Sequence, residues 1–170
     1  LALFPHCVPT GLQHGTVTVL ESGYAFEVTT YRAETGYSDG RHPDAVSFVG
    51  TLAEDLARRD FTVNAMALDV RGRLVDLHGG REDLKYRLLR CVGEPKRRFQ
   101  EDALRMLRAV RFSAQLGFAI EPETRRAMAA CAHGCTILSA ERIRDEVEKT
   151  LRSPEPYRAL ELLDYGMLRA

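Results

Sequence analysis

Four side chains recur at three-residue intervals in this 170-residue chain. They are Asp102, Arg105, Arg108 and Arg111, within Gln100-Glu-Asp-Ala-Leu-Arg-Met-Leu-Arg-Ala-Val-Arg111. On one helix that spacing traces a slowly winding stripe. A carboxylate one turn from a guanidinium suits the Watson–Crick edge of a base. Asp accepts from the exocyclic amine of cytosine or adenine, while Arg donates to a ring nitrogen or to the cytosine carbonyl. Uracil and guanine present the opposite polarity at the amine position, so the pair disfavours them. Arg108 and Arg111 are then placed to meet phosphates. The same spacing describes an exposed helix face with Glu101–Arg105 and Asp102–Arg105 ion pairs, each worth about 0.2–0.5 kcal/mol. Spacing alone favours the exposed, ion-paired face.

A second stretch, Arg58-Arg59-Asp60-Phe-Thr-Val-Asn64-Ala-Met66, puts adjacent arginines beside an Asp and an Asn. These supply phosphate donors next to groups able to bond a ribose hydroxyl, or merely cations suited to a helix C-terminus. Glu27, on a strand with alternating apolar neighbours, is a third candidate, as a metal ligand or a solvated strand residue. The four cysteines are Cys7, Cys91, Cys131 and Cys135. The close pair in Cys131-Ala-His133-Gly-Cys135 falls short of the four ligands of a structural zinc site, and reduced cytosolic thiols are expected. His14, His42 and His133 are expected at surface or loop positions without catalytic roles.

These residues need a scaffold, and composition bounds its class. Lys+Arg 24 balance Asp+Glu 24, with 45% hydrophobic and 28% charged residues. That composition suits an ordered globular protein of one domain or two small ones, and excludes a disordered or collagen-like chain. No apolar run approaches the ~18 residues of a membrane span, and Leu1 to Val8 lack the basic and apolar segments of a secretory signal. Zero net charge argues against a uniformly basic RNA-coating protein. The charges are segregated, however: Glu21 to Asp60 holds eight acidic and four basic residues, and Arg87 to Arg111 eight basic and three acidic. With only Lys85, Lys96 and Lys149 as lysines, 21 cations are Arg. That bias suits bidentate phosphate recognition and equally reflects a GC-rich genome.

The first half reads as strands. Gly15–Leu20 and Tyr24–Tyr31 flank the turn Glu21-Ser22-Gly23, with Phe26, Val28 and Thr30 on one face and Glu27, Thr29 and Tyr31 on the other. Residues 33–45 read as a loop, and Val46 to Val49 as a short strand. Thr51-x-x-Glu54 is a capping box opening a helix toward Arg58. Ala65–Val70 and Arg73–Leu77 flank Gly72 as a second hairpin, closed by Gly79-Gly80. The pattern then turns helical. One helix is expected from Pro95 to Gly117, with Phe99, Ala103, Met106, Leu107, Val110 and Ala114 as its buried stripe. Further helices are expected from Pro122 to Gly134, from Ser139 with Ile143, Val147 and Leu151 as apolar face, and from Ser153-Pro154 to near Gly166.

Six collinear segments resemble the tRNA nucleotidyltransferase (CCA-adding enzyme) and poly(A) polymerase family, within the DNA polymerase β-like superfamily. They are His14-Gly-Thr-Val-Thr-Val19, Phe26-Glu-Val-Thr-Thr-Tyr-Arg32, Asp39-Gly-Arg-His-Pro43, Arg58 to Met66, Arg98-Phe-Gln-Glu-Asp-Ala-Leu-Arg105 and Glu141-Arg-Ile-Arg-Asp-Glu146. The resemblance implies a bacterial-type (class II) enzyme that adds nucleotides from CTP and ATP to a tRNA 3′ end in the cytoplasm, using Mg²⁺. It implies that Arg59 contacts the incoming nucleotide with Asp60 near its ribose. Asp102 and Arg105 become an amino-acid template for the base, supported by Arg108 and Arg111, so the resemblance decides for recognition over an inert helix face. Glu27 resembles the third acidic residue near the metals, and Glu141–Glu146 a brace for the neck.

The implied fold class is α+β: an incomplete polymerase-β-like nucleotidyltransferase head, a mixed sheet with helices, over 1–79. An all-helical neck for base selection and RNA binding follows over 80–138, then the start of a helical body over 139–170. The family also carries a Gly-rich segment and an Asp-x-Asp pair that hold the metals. No Asp-x-Asp occurs in this sequence; its place would precede Leu1. The chain is therefore expected to be a head-and-neck piece with no metal site and no catalysis of its own. The loop from Arg32 to Pro43 resembles that of nucleotidyltransferases that add A. The rival readings are an A-adding enzyme, a CC-adding enzyme, a poly(A) polymerase, and a noncatalytic nucleotide- or RNA-binding module.

Overall fold

A computed structural model describes residues 3–12, 15–35 and 45–168. His14, His42 and the Asp39–Pro43 segment lie outside the described residues. The architecture is α+β, strands first and helices after, as the sequence implies.

The first sheet is antiparallel, in the order β1 (Cys7–Gly11), β2 (Thr16–Glu21), β3 (Tyr24–Thr29). β2 and β3 meet through the two-residue turn Ser22-Gly23. Both residues have positive φ, 51° and 83°, the twist a tight hairpin needs. The register pairs Val17 with Val28 and Val19 with Phe26 on one face, and Thr16 with Thr29 and Thr18 with Glu27 on the other. The alternation expected for the second strand holds, and Glu27 stands among threonines. β1 carries no sequence signal because Pro9 interrupts it. Proline is tolerated here because β1 is an edge strand.

Residues 33–45 are not simply a loop. β4 (Arg32–Thr35) and β5 (Ala45–Phe48) pair as an antiparallel ladder around the undescribed stretch. Helix α1 (Leu52–Ala57) opens on Thr51, whose Oγ1 accepts from Glu54 N–H and donates to Glu54 Oε2 at 2.5 Å. After a 3-10 turn at Thr62–Asn64 comes the hairpin of β6 (Met66–Leu68) and β7 (Leu74–Asp76). Gly80 begins a helix, α2 (Gly80–Lys85), rather than closing the hairpin. Asp76 accepts from the N–H groups of Gly80 and Arg81, both at 2.9 Å, and so caps it.

The helix expected from Pro95 to Gly117 is two helices, α3 (Pro95–Glu101) and α4 (Leu104–Leu116). Asp102 interrupts them in an extended conformation, φ −146° and ψ 106°. Its Oδ1 accepts from Leu104 N–H at 3.0 Å, so a short carboxylate replaces the helical hydrogen bond and starts α4. Asp102 and the three arginines therefore do not share one helix. The buried stripe survives the break, since Phe99, Ala103, Met106, Leu107, Val110 and Ala114 are all at most 3% exposed. Gly117, with φ 66°, ends α4 as expected.

α5 (Pro122–Cys131) starts on Glu121, whose carboxylate accepts from Thr124 N–H, and passes into a 3-10 segment reaching Ile137. α6 (Ala140–Leu151) starts after Ser139, whose hydroxyl makes no capping bond. Ile143 and Val147 pack on the core, but Leu151 is 55% exposed and is not part of the apolar face. A 3-10 turn at Pro156–Arg158 precedes α7 (Ala159–Asp164). The helical half also contains a parallel pair, β8 (Leu88–Leu89) with β9 (Ala119–Ile120). The core gathers Phe61, Leu89, Phe99, Met106, Leu107, Val110, Ile120, Met128 and Leu162, so the end of the strand-rich part is packed into the helical part. Phe61 is the link: fully buried, it bridges to Cys91 and stacks edge-on against Phe112 at 5.8 Å.

Candidate functional site

The site is built where α1 ends. Asp55, 4% exposed, gathers both following arginines: Arg58 Nη2 lies 2.7 Å from Oδ1 and Arg59 Nη2 3.1 Å from Oδ2. Burial opposes ionisation of Asp55, but the arginines and the Arg32 N–H outweigh it and hold the carboxyl below its usual range. Arg59 also donates to the Asn64 carbonyl at 3.2 Å.

Asp60 fastens this turn to α4. Its Oδ1 accepts from Phe61 N–H at 2.8 Å and from Asn64 Nδ2 at 3.1 Å; its Oδ2 accepts from Arg108 Nε and Nη2 at 2.9 and 2.7 Å. Burial again opposes ionisation. The Arg108 guanidinium and the hydrogen bonds prevail, leaving Asp60 a carboxylate with a lowered pKa.

A second tie comes from Arg98, which sequence reasoning did not single out. Its Nη2 donates to the Arg58 carbonyl and, at 2.9 Å, to the Arg59 carbonyl, while Nη1 meets Glu101 Oε2 at 2.6 Å. Arg105 Nη1 reaches the same Glu101 oxygen at 2.8 Å and the Arg98 carbonyl at 2.9 Å. Of the two pairs the spacing offers, Glu101–Arg105 forms; Asp102 instead accepts from Arg142 Nη2 at 3.4 Å. Arg98 and Glu101 thus connect the end of α1 to the start of α4. The repeated Arg and Glu spacing on α3 was the available signal.

The result is an open cleft of about 580 Å³ whose wall includes six arginines, Arg32, Arg58, Arg59, Arg105, Arg108 and Arg142, and two aspartates, Asp60 and Asp102. Arg59, Asp60, Asp102, Arg105 and Arg108 are brought together as the sequence implied. Arg111 is not: its Nε meets Glu146 Oε2 at 2.5 Å, its Nη1 meets Gln115, and its guanidinium lies 4.0 Å from the Phe112 ring centre. Glu146, in the Glu141–Glu146 segment, ties α6 to α4 through Arg111, whereas Arg142 of the same segment lines the cleft. Glu27 is exposed and lines an adjacent cavity of about 410 Å³, which shares Arg32, Arg58 and Arg59 with the cleft. An arrangement dense in guanidiniums with a few fixed carboxylates suits a polyanion carrying a hydrogen-bonding head.

The residues described do not fit a Mg²⁺ site. Among them no three His, Cys, Asp or Glu side chains converge to hold a metal ion. Glu27 shares its cavity with Asp55, both of whose oxygens are engaged by arginines. Three of the four thiols pack as core: burial pushes Cys91 and Cys135 up to about 12, and Cys131 is 5% exposed; Cys7, on β1, is only partly buried. His133 is exposed. Among the described residues no helix is long and apolar enough to cross a membrane.

Comparison with known proteins gives the same outline. Residues 2–90 match the family described as "Poly A polymerase head domain", and residues 117–169 match "Probable RNA and SrmB- binding site of polymerase A". The CCA-adding enzyme of Geobacillus sp. (strain WCH70) is 50% identical over 163 residues, 96% of this chain and 40% of that protein. Among solved structures, the Bacillus stearothermophilus CCA-adding enzyme in complex with CTP superposes with a TM-score of 0.89 at 46% identity, covering 100% of this chain and 41% of its own. A tRNA nucleotidyltransferase complexed with a primer tRNA and an incoming ATP analogue reaches a TM-score of 0.77 at 30% identity, covering 96% and 46%. The chain spans about 40% of the length of the curated relatives it matches.

Proposed function

The chain belongs to the poly A polymerase head-domain family, and from that premise we propose that it is the head-and-neck part of a cytoplasmic CCA-adding tRNA nucleotidyltransferase. The observation that carries the proposal is the convergence of Asp102 and Arg105 with Arg59, Asp60 and Arg108 in one cleft. The likeness to a CCA-adding enzyme in complex with CTP supports CTP as a ligand, and the likeness to a tRNA complex with an ATP analogue supports ATP and a tRNA 3′ end. The division at residues 79 and 138 into head, neck and body belongs to the same proposal.

Each residue then has a task. Asp102 Oδ1 is committed to Leu104 N–H, which leaves Oδ2 to accept from the exocyclic amine of cytosine or adenine. Arg105 is steadied through Nη1 by Glu101 and the Arg98 carbonyl, and its guanidinium donates to the neighbouring ring nitrogen or carbonyl. Uracil or guanine would set a carbonyl against Asp102, two acceptors facing each other with no proton between them. Arg58, Arg59 and Arg108 offer charge to the triphosphate, and Asn64 with Asp60 a polar wall to the ribose. Arg111 supports the nucleotide through α4 and α6 rather than by contact. In the reaction the 3′-hydroxyl gives up its proton to solvent as its oxygen bonds to the α-phosphorus, the bond from that phosphorus to the α,β-bridging oxygen breaks, and pyrophosphate leaves with the bridging oxygen.

Mg²⁺ is part of this proposal, supplying charge neutralisation at the reacting phosphate. Since the described carboxylates do not assemble its site, no step is derived through it. Glu27, on the neighbouring cavity wall, is the acidic residue proposed nearest the phosphate end.

The test is calorimetric titration of the purified chain with CTP, ATP, UTP and GTP, beside an incorporation assay with Mg²⁺ and tRNA lacking its CCA end. CTP and ATP are expected to bind about tenfold or more tighter than UTP and GTP, with no incorporation by this chain alone. Asp102→Asn, which keeps an acceptor for the α4 cap, should erase the preference. ATP binding without CTP would support the A-adding or poly(A) readings. Equal binding of all four would contradict base selection, and turnover would contradict the noncatalytic reading.

A further inference from the structure

Leu104 opens α4 immediately after the break, between the two residues proposed to read the base. Its N–H is held by Asp102 Oδ1 at 3.0 Å, and Arg105 is the next residue. Cα–Cβ bonds in a helix lean toward its N-terminus, so a first-turn side chain leans toward the break where Asp102 stands. Leu104 is partly buried: it packs against the hydrophobic core and also lines the cleft of about 580 Å³. Among the described residues that line this cleft, it is the one with an apolar side chain.

A polyanion held by guanidiniums needs no leucine. A nucleobase is different, because its polar edge is joined to two flat faces that water solvates poorly. Hydrogen bonds from Asp102 and Arg105 to the edge bring the ring beside the first turn of α4, where Leu104 projects. The described wall offers those faces no aromatic ring. Its neighbouring guanidiniums are drawn elsewhere: Arg58 and Arg59 onto Asp55, and Arg108 onto Asp60 and over the Phe112 ring at 5.2 Å. Leu104 is the surface that gains most from meeting a ring face, since contact removes apolar area from water on both partners.

Resting on the nucleotide reading above, we propose that Leu104 is the apolar platform against which one face of the bound base lies. Selection and affinity are then divided within one turn of α4. Asp102 and Arg105 choose the base by its edge. Leu104 adds affinity without choosing, because apolar contact is non-directional and accepts a pyrimidine or a purine ring. That division lets a single cleft hold two amino-bearing bases of different size.

The experiment follows the leucine methyl signals of the full chain by NMR during titration with CTP, with ATP and with an abasic ribose 5′-triphosphate. Leu104→Met removes the Leu104 signals and so assigns them. Ring currents are expected to shift the Leu104 methyls with CTP and ATP, and the abasic compound is expected to leave them in place. In calorimetry, Leu104→Ala should lose about fivefold or more in affinity for both CTP and ATP, with the abasic compound unchanged within about twofold. Leu104→Met, apolar and of similar volume, should keep CTP and ATP within about threefold of the unaltered chain. A leucine that serves only the core would weaken the abasic compound equally or leave CTP affinity unchanged, and either result overturns the assignment. If Leu104→Ala fails to fold, the methyl shifts of the unaltered chain carry the test, and methyls unmoved by CTP and ATP would overturn it. If Asp102→Asn erases the CTP preference while the Leu104 methyls stay unmoved, the nucleotide reading stands and the role of Leu104 falls. No CTP binding by the unaltered chain would sink both.

Discussion

Asp60 illustrates how a side chain's main partner can escape its local sequence. Its place beside two arginines pointed to a nucleotide contact; the structure adds a fixed partner, Arg108, reached across the boundary between strands and helices. Removing that partner leaves a buried carboxylate with the Asn64 amide and one backbone N–H. Arg108→Ala is expected to lower stability by about 1.5–3 kcal/mol at neutral pH, measured by urea unfolding. The pH dependence follows from the sign of the shift. A carboxyl whose native pKa is depressed adds stability that is whole above the unfolded value of about 3.9, and that is lost as pH falls through the native value. The difference between wild type and Arg108→Ala should therefore be constant from pH 7 to about 5 and shrink below about pH 4. A constant difference at acid pH would mean that Arg108 acts by packing on Phe112, 5.2 Å away. Asp102 and Arg105 were legible as a pair, but the contacts that hold them were not. Glu101 and Arg98 bind Arg105 through the fold of α3, and Arg142 reaches Asp102 from forty residues away.

At the scale of elements, periodicity gave the helical half and missed its breaks. A three-residue stripe runs smoothly through Asp102, so pattern alone saw one helix; the carboxylate's bond to Leu104 N–H competes with the helix at that position. Local signals with a steric cause were read well: the Ser22-Gly23 turn, the Thr51 cap and the left-handed Gly117. β1, β4 and α2 were missed because pairing and docking with distant residues decide them. For α2 the decisive feature is Gly80, where an added Cβ would stand 2.3 Å from the Thr62 carbonyl oxygen. Backbone must shift to admit it, and Gly80→Ala is expected to cost about 1–3 kcal/mol. Gly50→Ala, with open space around its Cβ, should stay within about 0.5 kcal/mol of wild type. Chemical denaturation of both variants checks the contrast, and equal stabilities would show that α2 does not pack on the 3-10 turn as described.

Across the whole molecule, the division of labour explains what the sequence could and could not convey. Charges balance at 24 against 24, so attraction for a polyanion is local to the cleft rather than spread over the surface. The cleft lies where the end of α1, the break between α3 and α4, and the start of α6 come together. No single sequence window contains all three. The fully buried Phe61 and the Asp60–Arg108 pair hold strand-rich and helical parts in one packing unit, which fixes the cleft wall that the proposed base recognition requires. The most direct measurement is a crystal structure of the chain with CTP bound. Asp102 Oδ2 is expected about 3 Å from the cytosine N4 amine, the Arg105 guanidinium on N3 or O2, and the triphosphate against Arg58, Arg59 and Arg108. A cytosine held elsewhere, with Asp102 and Arg105 still engaged only with their present protein partners, would contradict the account.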